Sequence, residues 1–386
     1  MKDTILLFES RDLCYESNRY FTGCLEDAFE RMGYRTQVCD LSVHMEEQLE
    51  ELLLRQETYV AAIDFNSLLP RLELEDHTPY LQAFCVPFFN YLVDHPLYHH
   101  AALKRSFPAY SVICIDRCHQ EYIRTCYPHI KQAVCLPLGA MQAVTERSFG
   151  QKRLELLFLG TYEPERALYE ELDEYLPAQK KEIVSLIERM EADAELTQEA
   201  ALAEYLNEKN EILDREAFVR RLNRDYLADK YLRNLRRKQA VLAACRAEVP
   251  FTLYGHGWEL VKELSGQRVC VCPGVGFAAS LQVMADAKML LNSTPGFHGG
   301  LHDRVYSAMI NRTACFTEKS GFAERVLVDK TEAVLYDPCR MDTLPEQIAS
   351  LYENQTVLEA IADRAYQKAH REHTWQRRAE KLVKYF

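Results

Sequence analysis

"AKMLLNSTPGFHGGLHDRVYSAMINRTACFTE" occupies residues 287–318. It opens on an apolar run, 287–293, and closes on another, 314–318. Between them a glycine-bearing loop leads into "HDRVYSAMINR", whose apolar residues recur at helical spacing. Strand, helix and strand in that order make a right-handed crossover between parallel strands. A parallel sheet is buried on both faces, which explains why both flanking runs are largely apolar rather than strictly alternating.

The same alternation extends in both directions. Upstream lie "LELLFLGTY" (154–162), "FTLYGHGW" (251–258) and "VCVCP" (269–273), and downstream lies "AVLYD" (333–337). The first 150 residues form a second series: "TILLFES" (4–10), "TQVCDL", "YVAAIDF", "PFFNYLVDHP", "YSVICID" and "QAVCLPLG". The segment 18–34 reads as a helix closed by Gly33. The expected fold class is therefore α/β, with two Rossmann-like doubly wound domains facing each other. Their bounds are read as 1–150 and 151–370. A glycine-free, charge-rich stretch, 163–248, reads as a helical insertion in the second domain. The terminal stretch 358–386 reads as wholly helical, with Trp375 and Leu382 on one stripe; its end, 371–386, is expected to cross back to the first domain.

With 386 residues, 48% hydrophobic, the chain suits a globular protein of two domains. A net charge of −12 argues against nucleic-acid binding, which needs a surplus of Lys and Arg. The N-terminus does not read as a signal peptide and no apolar run reaches membrane-helix length. Thirteen scattered cysteines without a CxxC pair imply reduced thiols and a cytoplasmic location. Cys270 and Cys272 fall on one side of a strand and are read as packing, so no metal site is expected.

In such a fold the ligand lies at the carboxyl ends of the strands. The loop holding His298, Gly299, Gly300, Leu301 and His302 lets backbone amides approach an anion, and Asp303 and Arg304 begin the helix. An arginine in the first turn opposes the helix dipole unless it meets an anion, for which a diphosphate is the candidate. The alternative is that Arg304 pairs with an acid such as Asp303 and the glycines only shape a loop. Three further glycine-marked strand ends add Gly160 and Thr161, then Tyr254 to Gly257 with His256 between Gly255 and Gly257, then Gly274 and Val275; Asn292 ends the strand before the loop. In the first domain Asp94 and His95 end a strand, and an imidazole oriented by a carboxylate can take a proton near neutral pH. A structural histidine fits that position too. Arg11, Asp12, Glu16 and Asn18 fall in the first strand-to-helix loop, where an acceptor would enter.

With these residues assembled, the chain resembles the nucleotide-sugar glycosyltransferases of the GT-B type. It is similar to the spore-maturation glycosyltransferase-like group in "YGHGW" (254–258), "AKMLLN" (287–292), "GGLHDRVYSAM" (299–309) and "EHTWQRRAEKL" (372–382). The resemblance covers about 250–386, is fainter over 1–160 and omits the helical stretch. It implies a UDP- or GDP-sugar donor, UDP foremost, on the second domain. It implies an acceptor (protein, glycan or small molecule) on the first, with no obligatory metal or cofactor. The chain departs from retaining relatives, which carry a glutamate where "VYSAM" has Ser307. A nucleotide-sugar epimerase and a non-catalytic nucleotide-sugar-binding or surface-assembly protein are the competing readings.

Overall fold

The computed structural model describes residues 3–10, 16–294 and 296–386. They form two compact units, 3–10 with 16–139 and 373–386, and 140–294 with 296–372.

The first unit is built on six parallel strands: β1 (Thr4–Glu9), β2 (Arg35–Asp40), β3 (Tyr59–Phe65), β4 (Phe88–Leu92), β5 (Tyr110–Cys114) and β6 (Gln132–Cys135). Their order is β2-β1-β3-β4-β5-β6. Ile5 to Phe8 are at most 1% exposed, as a strand covered on both faces requires. The helix Ser17–Arg31 ends where Gly33 takes φ +88°, the left-handed conformation that closes helices.

His373–Phe386 belongs to this unit. The terminal helix is not continuous: Gln355–Glu372 stops, and Thr374 caps a new helix, Trp375–Leu382, by accepting from the Arg377 amide at 3.3 Å. A threonine that offers its oxygen to the next turn starts a helix rather than prolonging one. Trp375 lies flat against Gly139, where a Cβ would come within 2.5 Å of the indole. Arg378 is 2% exposed and donates to the Leu138 carbonyl at 3.1 Å.

The second unit has β7 (Leu154–Leu159), β8 (Phe251–Tyr254), β9 (Val269–Cys272), β10 (Ala287–Leu291), β11 (Ala314–Glu318) and β12 (Val334–Tyr336). The order β12-β11-β10-β7-β8-β9 is the Rossmann arrangement, and it reverses between β7 and β10. The unit begins at 140 rather than 151. Backbone amides of Met141 and Ala143 donate to Ser307 Oγ at 3.1 Å and Asn311 Oδ1 at 2.9 Å, which ties the preceding segment to the helix Asp303–Ile310 of this unit and its C-cap.

The helical stretch 163–248 divides in two. Helices Glu165–Glu171, Pro177–Ala192, Gln198–Glu208 and Arg215–Arg224 form the inserted part. Buried Glu182 pins it, accepting from Arg221 Nε at 2.5 Å and Arg224 Nη2 at 2.9 Å. The helix Leu227–Cys245 is not inserted. Ala240, Val241 and Ala244 pack in one core with Leu156 and Phe158 of β7 and Phe251 of β8, so it is the crossover helix of that strand pair. The inserted part therefore ends before residue 227.

Candidate functional site

Ligands of Rossmann sheets settle outside the carboxyl ends of the strands where the order reverses. In the second unit that place is the end of β7, Gly160 and Thr161, beside the end of β10, Asn292 and its loop.

The "YGHGW" loop shapes this corner by packing. A Cβ on Gly255 would lie 2.1 Å from the Gly160 carbonyl oxygen, and one on Gly257 1.9 Å from that of Tyr162. The Gly160 carbonyl also accepts from Trp258 Nε1 at 2.7 Å, while Trp258 stacks on Tyr162 at 4.8 Å. Gly255 and Gly257 thus exist to let β8's loop grip the backbone of 160–162. His256 is exposed and lies against Gly274, whose Cβ would meet its Nε2 at 2.6 Å. Tyr254 is half-buried; Thr161 and Val275 are exposed.

Asn292 is fully buried and serves the fold. Its amide donates to Thr317 Oγ1 at 2.9 Å, and its carbonyl oxygen accepts from Arg304 Nη1 at 3.4 Å. It positions Arg304 instead of meeting a ligand. Leu301 is a core side chain, 3% exposed. Gly299 and Gly300 are buried and His298 is half-buried. His298 and Gly300 share a small crevice of about 30 Å³ with Arg236, Phe297, Glu318 and Lys319.

Arg304 sits one residue into the helix Asp303–Ile310. His302 caps that helix, its Nδ1 accepting from the Arg304 amide at 3.2 Å and standing 2.5 Å from Asp303 Oδ1. A neutral His302 ring uses this nitrogen as the cap, and a protonated one donates it to Asp303. Burial pushes the Asp303 carboxyl up, but His302 and Arg304 outweigh it and hold the carboxyl below its ordinary value. Burial likewise pushes Arg304 down, against the pull of Asp303.

Two basic residues here are not evident from the sequence. Arg237, on the crossover helix, donates to the Thr161 carbonyl at 3.1 Å. Burial and the neighbouring Arg233 and Arg304 push it down to about 10. Arg233 pairs with Asp229 at 2.9 Å. Among the described residues neither Arg237 nor Arg304 is in an ion pair. Glu318, at the end of β11, is a third residue the sequence did not mark. It accepts from Ser293 Oγ at 2.8 Å and Tyr336 Oη at 3.2 Å, fixing the start of the β10 loop. The signal for the arginines was present as "YLRNLRRKQ" (231–239), where residues four apart share a helix face, but charge runs on helices usually face solvent.

In the first unit Asp94 and His95 each have a further partner among the described residues. The Asp94 carboxylate accepts from Asn66 Nδ2 at 2.9 Å. His95 Nδ1 accepts from the Leu97 amide at 3.0 Å, capping the turn Pro96–His99. In a neutral ring that acceptor role places the proton on Nε2. Asn18 is buried and accepts from Thr22 Oγ1 at 3.2 Å, while its Nδ2 has no hydrogen-bond partner among the described residues. Glu16 is exposed at the start of the first helix with φ +66°. Arg11 and Asp12 lie outside the described residues.

The architecture, two six-stranded parallel sheets with helices at the C-terminus, is that of the GT-B glycosyltransferases. An α-glucosyltransferase solved with UDP-glucose and DNA containing an abasic site shares it at TM-score 0.58 and 10% identity, covering 99% of this chain and 98% of that one. Sucrose-phosphate synthase from Thermosynechococcus elongatus matches at TM-score 0.54 and 11% identity over 99% and 98%. HepE from Anabaena, in complex with UDP and glucose, matches at TM-score 0.53 and 11% identity over the same shares. Residues 232–384 match the family described as "Glycosyl transferase-like". No curated protein matches the chain. No helix among the described residues is long and apolar enough to cross a membrane, and no three His, Cys, Asp or Glu residues gather there as metal ligands.

Proposed function

We propose that this chain is a glycosyltransferase that takes a sugar from a nucleoside-diphosphate donor, UDP-linked foremost, and passes it to a hydroxyl of a protein, glycan or small molecule. The observation that carries the reading is the pair Arg237 and Arg304. Neither is in an ion pair among the described residues, and Arg304 repels Arg237 beside the sheet's switch point, while Asp303 attracts Arg304 and Glu318 and Asp229 attract Arg237. A diphosphate is the ligand that relieves this repulsion, because two guanidinium groups can share its oxygens. The family match over 232–384 spans both arginines and overlaps the segment that resembles the spore-maturation group. Donor complexes among proteins of this fold, such as HepE with UDP and glucose, support a UDP-sugar.

In this reading the glycosidic bond to the diphosphate breaks while positive charge already in place stabilises the departing phosphate. The two arginines and the amides of 299–303 supply that charge, so transfer proceeds without a divalent cation. The acceptor is assigned to the first unit.

Calorimetry with UDP and GDP, followed by incubation with UDP-glucose alone, tests the proposal. Binding of UDP and slow release of free sugar are the expected results. A new sugar isomer would make the chain an epimerase, and no binding of either nucleotide would overturn the reading.

A further inference from the structure

Cys270 and Cys272 lie on β9, the edge strand of the second sheet. The sequence reads them as packing, and the structure corrects this: Cys270 is exposed and Cys272 only half-buried. Their sulfurs stand 3.8 Å apart. β9 pairs with β8 alone, and the register partners of the two cysteines are Thr252 and Tyr254. No carboxylate is in register to compete for the thiols.

Two chemistries use neighbouring thiols. A disulfide needs Cα atoms within roughly 6.8 Å. Residues two apart on an extended strand stand about 6.6 Å apart, at the outer edge of that range. A bridging metal fits without moving the strand. Two thiolates at ~2.3 Å from a tetrahedral zinc ion stand roughly 3.8 Å apart, the separation this strand already holds.

We propose that Cys270 and Cys272 form a dithiolate clamp for a thiophilic divalent cation of the zinc class. Two sulfur–metal bonds form, two thiol protons pass to solvent, and the remaining positions are open to water or an exogenous ligand. Exposure on an edge strand makes the cation exchangeable. The clamp stands immediately before Pro273 and Gly274, so its occupancy restrains the loop on which His256 rests. The proposal is independent of the glycosyltransferase reading.

The reduced full-length chain is titrated with cadmium, following the sulfur-to-cadmium charge-transfer absorption, and compared with C270S, C272S and the double variant. Each variant is expected to lose one cadmium equivalent that the wild type binds. A double variant with the wild-type band would overturn the proposal. Differential alkylation of the wild-type chain with and without zinc gives a second measurement that needs no variant. Protection of both Cys270 and Cys272 supports the clamp. Protection confined to other thiols, such as the register pair Cys114 and Cys135, refutes it.

Discussion

Arg237 donates to the carbonyl oxygen of Thr161 across 3.1 Å, so the crossover helix is fastened to the first loop of its own sheet by a residue that also faces Arg304. The guanidinium is held in place by a backbone oxygen, which neutralises none of its charge. This arrangement yields a prediction with opposite signs for stability and binding.

Arg237→Gln should leave the melting temperature of the free protein unchanged or higher, since like charges are separated. The same change should weaken UDP by about 10- to 100-fold, the worth of a charge-assisted hydrogen bond of about 1.5–3 kcal/mol. Thermal shift with and without UDP reads both. A lowered melting temperature with intact UDP binding would make Arg237 a structural residue.

Gly257→Ala should destabilise the second unit by at least about 2 kcal/mol, because a Cβ there meets the Tyr162 carbonyl and φ is +86°. Gly276→Ala is the contrast: nothing lies within 4 Å of the added atom, and φ is an ordinary −63°. Urea unfolding should separate the two substitutions clearly.

Trp375→Ala should cost about 3–5 kcal/mol, since a 5% exposed indole that covers Gly139 and contacts Phe21 at 5.5 Å would leave a cavity. Gly139→Ala should be harmful for the complementary reason, with the new methyl group driven into the ring. Denaturant midpoints of both variants check this.

Asp64 gives a pH dependence. Burial lifts its carboxyl from 3.8 to about 7, against the hydrogen bond it accepts from the Leu69 amide at 2.7 Å. Between those values the folded chain keeps a proton that the unfolded chain has released. Asp64 therefore contributes stability below pH 3.8 that is lost as pH rises to 7. Asp64→Asn should remove this downward slope from the stability profile measured between pH 4 and 7.

The twelve strands of the described residues were legible mainly because most are parallel strands buried on both faces and so read as near-continuous apolar runs. The edge strands β2 and β9, which are more exposed, were marked by their place in the alternation. The limits of the helical insertion were not, since a crossover helix and an inserted helix carry the same period. Only packing of Ala240 and Val241 on β7 and β8 tells them apart. The glycines of "YGHGW" were visible, but their role was not, because a close backbone approach and an anion loop demand the same residue. His95 illustrates a further gap. Its place at a strand end is written in the sequence, whereas the occupant of its Nδ1 is a three-dimensional fact.

Because the first unit draws on two segments, 3–139 and 373–386, that flank the second unit in the chain, it is completed only after the second unit has been synthesised. The second unit can close earlier. A nonsense mutation or proteolytic nick that removes only the last dozen residues would therefore injure the opposite, N-terminal half of the molecule, stripping Gly139 of its indole cover and Leu138 of its guanidinium partner.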